Sequence, residues 1–279
     1  MEKAIHITKL ENFKYCNFSY NRVYFGAEFC QNLIPSIAVL EKAFNFAQKK
    51  NYQFTLVTPF VTEKGLYRLN ELFQFLRTKI NNCEVVVNDW GVLGVLSSKY
   101  KTFKLSLGRL LTRQSRDPAM AQVLKKQPPF AMIGKDGRIT VVVHVPPNER
   151  YQKGIKASYV NATSVQGFLS RFNICRIELN NLMQGLNLEN LRFNVSLYTP
   201  FVNISTTRFC PMESRFQKIY RINVCKRECQ KYYSILRNRT FAKYVYKRGN
   251  TIFYKNPVNP RSIDKTVIDR IVFQPELPF

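Results

Sequence analysis

The chain has 279 residues, 45% of them hydrophobic, with many aromatics and ordinary glycine and proline, which excludes a disordered or fibrous polypeptide and leaves room for one large core. Its 43 basic and 18 acidic residues leave a net charge of +25, and its seven cysteines are an odd number, which argues against a disulfide scaffold. No run approaches the ~18 consecutive apolar residues of a membrane span, and Met1 to His6 lacks the basic-then-apolar layout of a secretory signal. A cytoplasmic protein with no membrane span is expected, its reduced thiols open to metal or redox work.

Strand and helix patterns alternate along the chain. Asn21-Arg-Val-Tyr-Phe-Gly-Ala reads as a first, buried strand, and Ile34 to Lys50 carries helical apolar spacing. Tyr52 to Phe60 is a second strand. The helix after it starts near Thr62 and sets Leu66, Leu69, Leu72, Phe73 and Leu76 on one stripe. Glu84-Val-Val-Val-Asn-Asp is a third strand, with a short helix through Val92 to Leu96, and Phe103 to Gly108 is a fourth. Residues 112–160 break the rhythm: Gln127-Pro-Pro, Gly134-Lys-Asp-Gly and Val145-Pro-Pro mark turns, and Arg138 to Val145 reads as one strand of an inserted hairpin. Alternation resumes with a helix from Ser164 to Phe172, a fifth strand Cys175-Arg-Ile-Glu-Leu, a short helix at Leu188 to Leu191 and a sixth strand from Phe193 to Phe201. Beyond it come the β-like Tyr244-Val-Tyr, a hairpin candidate around Arg248-Gly-Asn with Thr251 to Tyr254, and a last strand Asp269 to Phe273.

About seven or eight strands alternating with helices predict an α/β fold, a parallel sheet closed into a TIM-like β/α barrel that is irregular in places. One domain over 1–279 is expected, with a hairpin insertion after strand 4 at 112–160 and a cysteine-bearing excursion at 208–255. Leu56-Val-Thr-Pro-Phe-Val and Leu197-Tyr-Thr-Pro-Phe-Val resemble each other, as two equivalent barrel strands would. No G-x-G-x-x-G turn follows the first strand, which speaks against a dinucleotide-binding sheet.

The charge admits two explanations. A polyanion partner, most simply RNA, is drawn by Lys and Arg that neutralise phosphates. Alternatively the basic residues follow a composition rich in Lys, Asn, Ile, Tyr and Phe, and they are spread along the whole chain. No aromatic RNP strand is present.

Because β/α barrels build their sites at the C-terminal ends of the strands, strand polarity sorts the cysteines. Cys30 lies just past the first strand and Cys210 in the loop after the sixth, with Cys225 and Cys229 in the same excursion, spaced C-x₃-C. Cys83 and Cys175 start their strands and so belong to the opposite face, well over ~10 Å away at about 3.3 Å per residue. Cys16 precedes the first strand and joins neither group; these three are expected to be ordinary buried cysteines. Four thiolates at one mouth leave three possibilities: an iron–sulfur cluster, a structural zinc, or unligated thiols. Zinc sites usually come as paired C-x₂-C knuckles, whereas cysteines gathered from remote loops suit a bulkier cluster.

Tyr24-Phe-Gly-Ala-Glu-Phe-Cys30, Val85-Val-Val-Asn-Asp-Trp-Gly-Val-Leu, Ser106-Leu-Gly-Arg-Leu-Leu, and Arg208-Phe-Cys210 with Cys225-x₃-Cys229 resemble the collagenase-like peptidase family U-32. The closing Ile271-Val-Phe-Gln-Pro-Glu looks like that family's last strand, so the resemblance runs over most of the chain. In size the chain is similar to the family's single-barrel members, accessory proteins of ubiquinone biosynthesis. In those members a cysteine after the first strand, a later one and a C-x₃-C pair hold a [4Fe–4S] cluster; the resemblance carries this onto Cys30, Cys210, Cys225 and Cys229. It further implies oxygen-independent hydroxylation of a small quinone precursor or of RNA bases, a related barrel as hetero-oligomeric partner, or a peptidase activity. The long Cys210–Cys225 interval and the run Arg109 to Pro118 look more like other branches than the ubiquinone one.

Candidate substrate-binding residues stand at strand ends: Glu28 after the first strand, Asn88 and Asp89 after the third, Arg109 after the fourth, and Glu178 in the fifth. An arginine there can clamp an anion and an acid can handle protons. Equally, Asn88-Asp89 can cap the next helix and Glu178 can pair inside the barrel. The two histidines, His6 and His144, fall in the N-terminal segment and the insertion, and no G-x-S-x-G or H-E-x-x-H is present. A cysteine nucleophile therefore finds no placed base.

Overall fold

The computed structural model describes residues 1–125, 128–214, 224–238, 243–257 and 267–279. In chain order the strands are β1 (Glu2–Ile7), β2 (Arg22–Phe25), β3 (Gln53–Val57), β4 (Glu84–Val87), β5 (Lys104–Leu107), β6 (Phe130–Ile133), β7 (Ile139–Val142), β8 (Ile174–Asn180), β9 (Asn194–Thr199), β10 (Phe201–Thr206), β11 (Ser234–Asn238), β12 (Lys243–Arg248), β13 (Thr251–Lys255) and β14 (Ile268–Phe273). The α-helices are α1 (Ile37–Lys49), α2 (Glu63–Lys79), α3 (Trp90–Lys99), α4 (Met120–Val123), α5 (Glu149–Lys156) and α6 (Thr163–Leu169).

Eight strands close a barrel in the order β1-β14-β9-β8-β5-β4-β3-β2, and neighbouring strands run parallel. This is the expected α/β, TIM-like architecture. Strands such as β4 are buried on both faces, which is why they read as unbroken apolar runs rather than alternating ones. The outer core packs α1 and α2 onto the barrel through Leu40, Ala43, Phe44 and Ala47, and through Leu69, Leu72, Phe73 and Leu76, each a stripe with helical spacing. At the end of β2, Gly26 has φ +133°, and a Cβ there would stand 2.3 Å from the Val57 carbonyl oxygen. Only glycine lets β2 and β3 approach so closely.

Irregularity enters at two long excursions from the barrel. Between β5 and β8 lies the insertion, with β6 and β7 pairing antiparallel; Gln127 of its first turn is outside the described residues. Between β9 and β14 a second, antiparallel sheet forms in the order β10-β13-β12-β11, and it occupies most of the described part of the 208–255 excursion.

Three expectations need correction. The chain's first strand is β1, not the segment at Asn21, so His6 belongs to the barrel wall and is buried. Residues Leu188–Leu191 form no helix: the carbonyls of Asn187 and Glu189 accept from Asn161 Nδ2, that of Asn190 accepts from Gln166 Nε2, and Asn190 has φ +62°. Backbone groups committed in this way cannot build a helical ladder. Finally, Phe193–Phe201 is not one strand. It divides at the cis Thr199–Pro200 peptide into β9 of the barrel and β10 of the second sheet. Among the described residues no helix is long and apolar enough to cross a membrane.

Candidate functional site

The C-terminal mouth of the barrel is closed by a buried ion pair. Arg109, just past β5, and Glu28, past β2, are both fully buried. Arg109 donates from Nε and Nη2 to the two Glu28 carboxylate oxygens at 3.0 and 2.5 Å, a bidentate pairing. Its Nη1 donates to Asn180 Oδ1 at 3.0 Å and to the Phe201 carbonyl at 3.1 Å. The amide of Gln274, oriented to suit its neighbours, accepts from Arg109 Nη2 and donates to the same carbonyl. Below, the guanidinium lies 4.0 Å from the centroid of the Tyr198 ring. With its donors spoken for, Arg109 acts as a keystone joining four strand ends and the second sheet.

The other candidates at the mouth are likewise engaged. Asn88 donates to the Thr58 carbonyl and accepts from Leu110 N. Asp89 caps α3, accepting from Gly91 N and Val92 N through Oδ1, and from Val61 N through Oδ2. Glu178 points into the barrel, where Oε1 accepts from Ser106 Oγ at 2.5 Å and Tyr24 OH at 3.3 Å. Its Oε2 has no partner, and burial pushes its carboxyl up to about 7. His6 donates from Nε2 to, or shares it with, the Gly26 carbonyl at 3.0 Å, while burial pulls it down to about 4; it is a neutral wall residue.

The second sheet lies over the mouth. Phe29, Phe201, Phe253, Leu277 and Phe279 form an apolar cluster there together with Cys229, and Cys30 packs against it. Asn250, in the β12–β13 turn, ties the sheet down by donating to the Phe29 carbonyl at 2.8 Å. Arg248, three-quarters of the way round the same hairpin, donates to the carbonyls of Cys229, Gln230 and Leu277.

This packing draws four thiols together. Cys30 feels the charge of Cys225 and Cys229, Cys210 that of Cys30 and Cys225, and Cys229 that of Cys210 and Cys225; Cys30 and Cys210 also line one hollow, and Cys30 packs against the cluster that holds Cys229. Burial, reinforced by that mutual repulsion, pushes the thiols of Cys30, Cys210 and Cys229 up to about 11. As free thiols they are protonated at neutral pH and are poor nucleophiles. None of the remaining three cysteines is coupled to the four. Of the three expected to be buried, only Cys83, before β4, is fully so, and it donates to its neighbour's carbonyl; Cys175, second in β8, is exposed and donates to the Leu105 carbonyl, and Cys16 is half-buried, its thiol pushed up to about 11 by burial. Among the described residues no three His, Cys, Asp or Glu converge closely enough to hold a single metal ion. The four thiols are thus neighbours around a shared space. A hollow of about 120 Å³ opens beside Cys30 and Cys210, between Phe60, Thr62, Arg208 and Asn250.

Sequence reasoning missed Arg248 and Asn250, which hold the thiol-bearing segment in place. Their only signal was the Arg-Gly-Asn turn between two β-like runs.

No protein-family model matches the chain, and no curated protein matches it. Among solved structures it is similar to the U32 peptidase Mk0906, at 7% identity and a TM-score of 0.46 over 99% of this chain and 93% of that one. It is also similar to a glycoside hydrolase family 18 N-acetylglucosaminidase from Paenibacillus barengoltzii, at 7% identity and a TM-score of 0.36 over 98% of this chain and 94% of that one. The barrel itself is established by the strand pairing.

Proposed function

We propose that the chain is an iron–sulfur protein of the U-32 peptidase-like kind, holding a [4Fe–4S] cluster on Cys30, Cys210, Cys225 and Cys229. The observation that carries this is the gathering of cysteines from three separate stretches of chain at the barrel's C-terminal rim: Cys30 and Cys210 line one hollow, Cys30 packs against the apolar cluster that holds Cys229, and Cys225 stands four residues before Cys229. A cubane cluster spreads its four cysteine ligands over separate irons, so it takes thiols that surround a space without converging on one point, unlike a tetrahedral zinc. The apolar wall of Phe29, Phe253 and Phe279 limits water at this spot, and Arg248 and Lys9 supply positive charge beside Cys229 that favours its thiolate. When bound, such a group supplies one-electron transfer.

The chain's own residues then divide the work. The four cysteines hold the group, Arg248 fixes the Cys229 backbone, and Asn250 fixes the Phe29–Cys30 segment against the second sheet. With all four irons ligated by the chain, the role that fits is electron relay or accessory in an oxygen-independent hydroxylation or related redox reaction, alongside a related barrel and on a quinone precursor or an RNA base. Peptidase action has less support: His6 is neutral and lies in the barrel wall, and burial keeps the thiols of Cys30, Cys210 and Cys229 protonated.

The test is purification without oxygen, followed by iron and acid-labile sulfide analysis and reduction by dithionite. About four irons and four sulfides per chain with a reducible brown chromophore are expected. A colourless, iron-free protein that cleaves gelatin would replace this function with a peptidase.

A further inference from the structure

Two hollows meet at the rim of the mouth. The one beside Cys30 and Cys210 shares Phe60 and Arg208 with a larger hollow of about 420 Å³, which runs over the ends of β4 and β5. Three guanidinium groups line the larger one: Arg113, Arg116 and Arg208. Arg22, Arg109, Arg138, Arg176 and Arg270 all have carboxylate partners, whereas these three have none among the described residues. Arg116 Nη1 is buried with no hydrogen-bond partner, and burial next to the Arg109 charge pushes its guanidinium down to about 10. A buried charged donor left without a partner carries a desolvation penalty, which an anion arriving here relieves. The one carboxylate lining the hollow, Asp89, has both oxygens occupied by backbone N–H groups. Arg113 is held at φ +44°, a left-handed conformation unfavourable for a non-glycine residue.

The remaining walls are aromatic. The Arg208 guanidinium lies 5.5 Å over the Phe60 ring, and Trp90 is 43% exposed, its far side braced edge-on by Phe168. An exposed indole beside unpaired arginines suits a ligand that combines a planar ring with a negative charge.

We propose that this hollow binds a nucleotide, with Arg113, Arg116 and Arg208 on its phosphate and Trp90 against its base. The volume lies within the usual range for small-molecule sites, about 300–1,000 Å³. The phosphate ester can belong to a free nucleotide or to one residue of an RNA strand. The site stands independently of the cluster proposed above, because its arginines and its tryptophan are not among the cluster's ligands.

Trp90 is the chain's one tryptophan, so intrinsic fluorescence reports on this hollow directly. AMP, adenosine, inorganic phosphate, citrate and a short oligoadenylate are titrated into the wild type and into the Cys30→Ala variant. AMP is expected to change the Trp90 emission saturably in both proteins, with adenosine and phosphate at least tenfold weaker. Arg116→Gln and the exposed Arg208→Gln should each weaken AMP about tenfold, the value of one charge-assisted contact. Oligoadenylate binding tighter than AMP and falling steeply with salt identifies an RNA strand as the source; binding no tighter than AMP identifies a free nucleotide. Citrate or phosphate binding as well as AMP, or AMP binding indifferent to both arginine substitutions, overturns the proposal. AMP binding by an iron-free Cys30→Ala protein upholds it even if the cluster is refuted.

Discussion

The two ends of the barrel treat charge in opposite ways. At the floor, Arg270 holds Glu84 bidentately at 2.6 and 3.1 Å and Glu2 at 2.5 Å, Arg22 completes the pairing with Glu2 at 2.7 Å, and Arg176 grips Asp269. These charges come from the starts of five strands and close a ring of ion pairs across the barrel. At the rim of the mouth, Arg113, Arg116 and Arg208 stand without carboxylate partners around an open hollow, and the thiols of Cys30, Cys210 and Cys229, which burial pushes toward the neutral form, gather beside Cys225. The contrast teaches where function resides. Paired buried charge holds a fold in one register, whereas unpaired cations and crowded thiols cost stability and persist where a ligand relieves them. The keystone Arg109–Glu28 pair belongs, by this criterion, with the floor although it sits at the mouth.

The strongest way to break the comparison is to remove one partner of a buried pair. Glu28→Ala leaves Arg109 without a carboxylate and should cost about 3–5 kcal/mol in urea unfolding; Arg270→Met should cost less, because Arg22 still stands 3.8 Å from Glu84. The double variant Arg109→Met with Glu28→Leu should cost less than the sum of its single changes, since no charge is stranded.

A second prediction concerns pH. Glu178 is protonated in the fold up to about 7, while its ordinary value is 4.5. Between those pH values the unfolded chain ionises this group and the folded chain does not, so stability falls as pH rises through the window and the loss is complete above it. The loss is on the order of 3 kcal/mol, and Glu178→Gln should abolish it, as chemical denaturation at about pH 5 and about pH 8 would show. An unchanged pH slope in the variant would remove Glu178 as its cause.

Smaller effects sharpen the picture. Asp89→Ala removes the cap of α3 and should lower stability by about 1 kcal/mol, read as a few degrees in the thermal midpoint. Arg208→Gln, exposed and unpaired, should alter stability by no more than about 0.5 kcal/mol. A large destabilisation by Arg208→Gln would mean that the rim arginines serve the fold after all, and the contrast would fail.

Much of this architecture is legible in the sequence because barrel strands buried on both faces read as unbroken apolar runs, as Glu84-Val-Val-Val does, and because α1 and α2 carry clear stripes. β1 escapes because Glu2-Lys3-Ala4-Ile5-His6-Ile7 mixes charge with apolar side chains: Glu2 joins the ion pairs at the floor and His6 is buried in the wall, on either side of an Ala4 that packs in the apolar cluster inside the barrel. For the same reason Arg270 and Glu84, the heart of that ring, look like ordinary charged residues in a chain where basic side chains are everywhere. Cys30 is legible from strand polarity, since a residue just past a barrel strand must lie at its C-terminal end; Cys210 follows β10 and Cys229 precedes β11 of the second sheet, and they reach the rim because that sheet folds over the mouth. The arginine hollow is not legible in this way. Arg113 and Arg116 come from the loop after β5 and Arg208 from the loop after β10, and only closure of the barrel under the second sheet brings them together.

The most direct measurement compares two single substitutions in protein prepared without oxygen. Visible absorption and iron content should be lost in Cys30→Ala and retained in Cys83→Ala, whose thiol lies at the start of β4. Colour retained without Cys30, or lost without Cys83, would contradict the assignment of the cluster to the barrel's C-terminal rim.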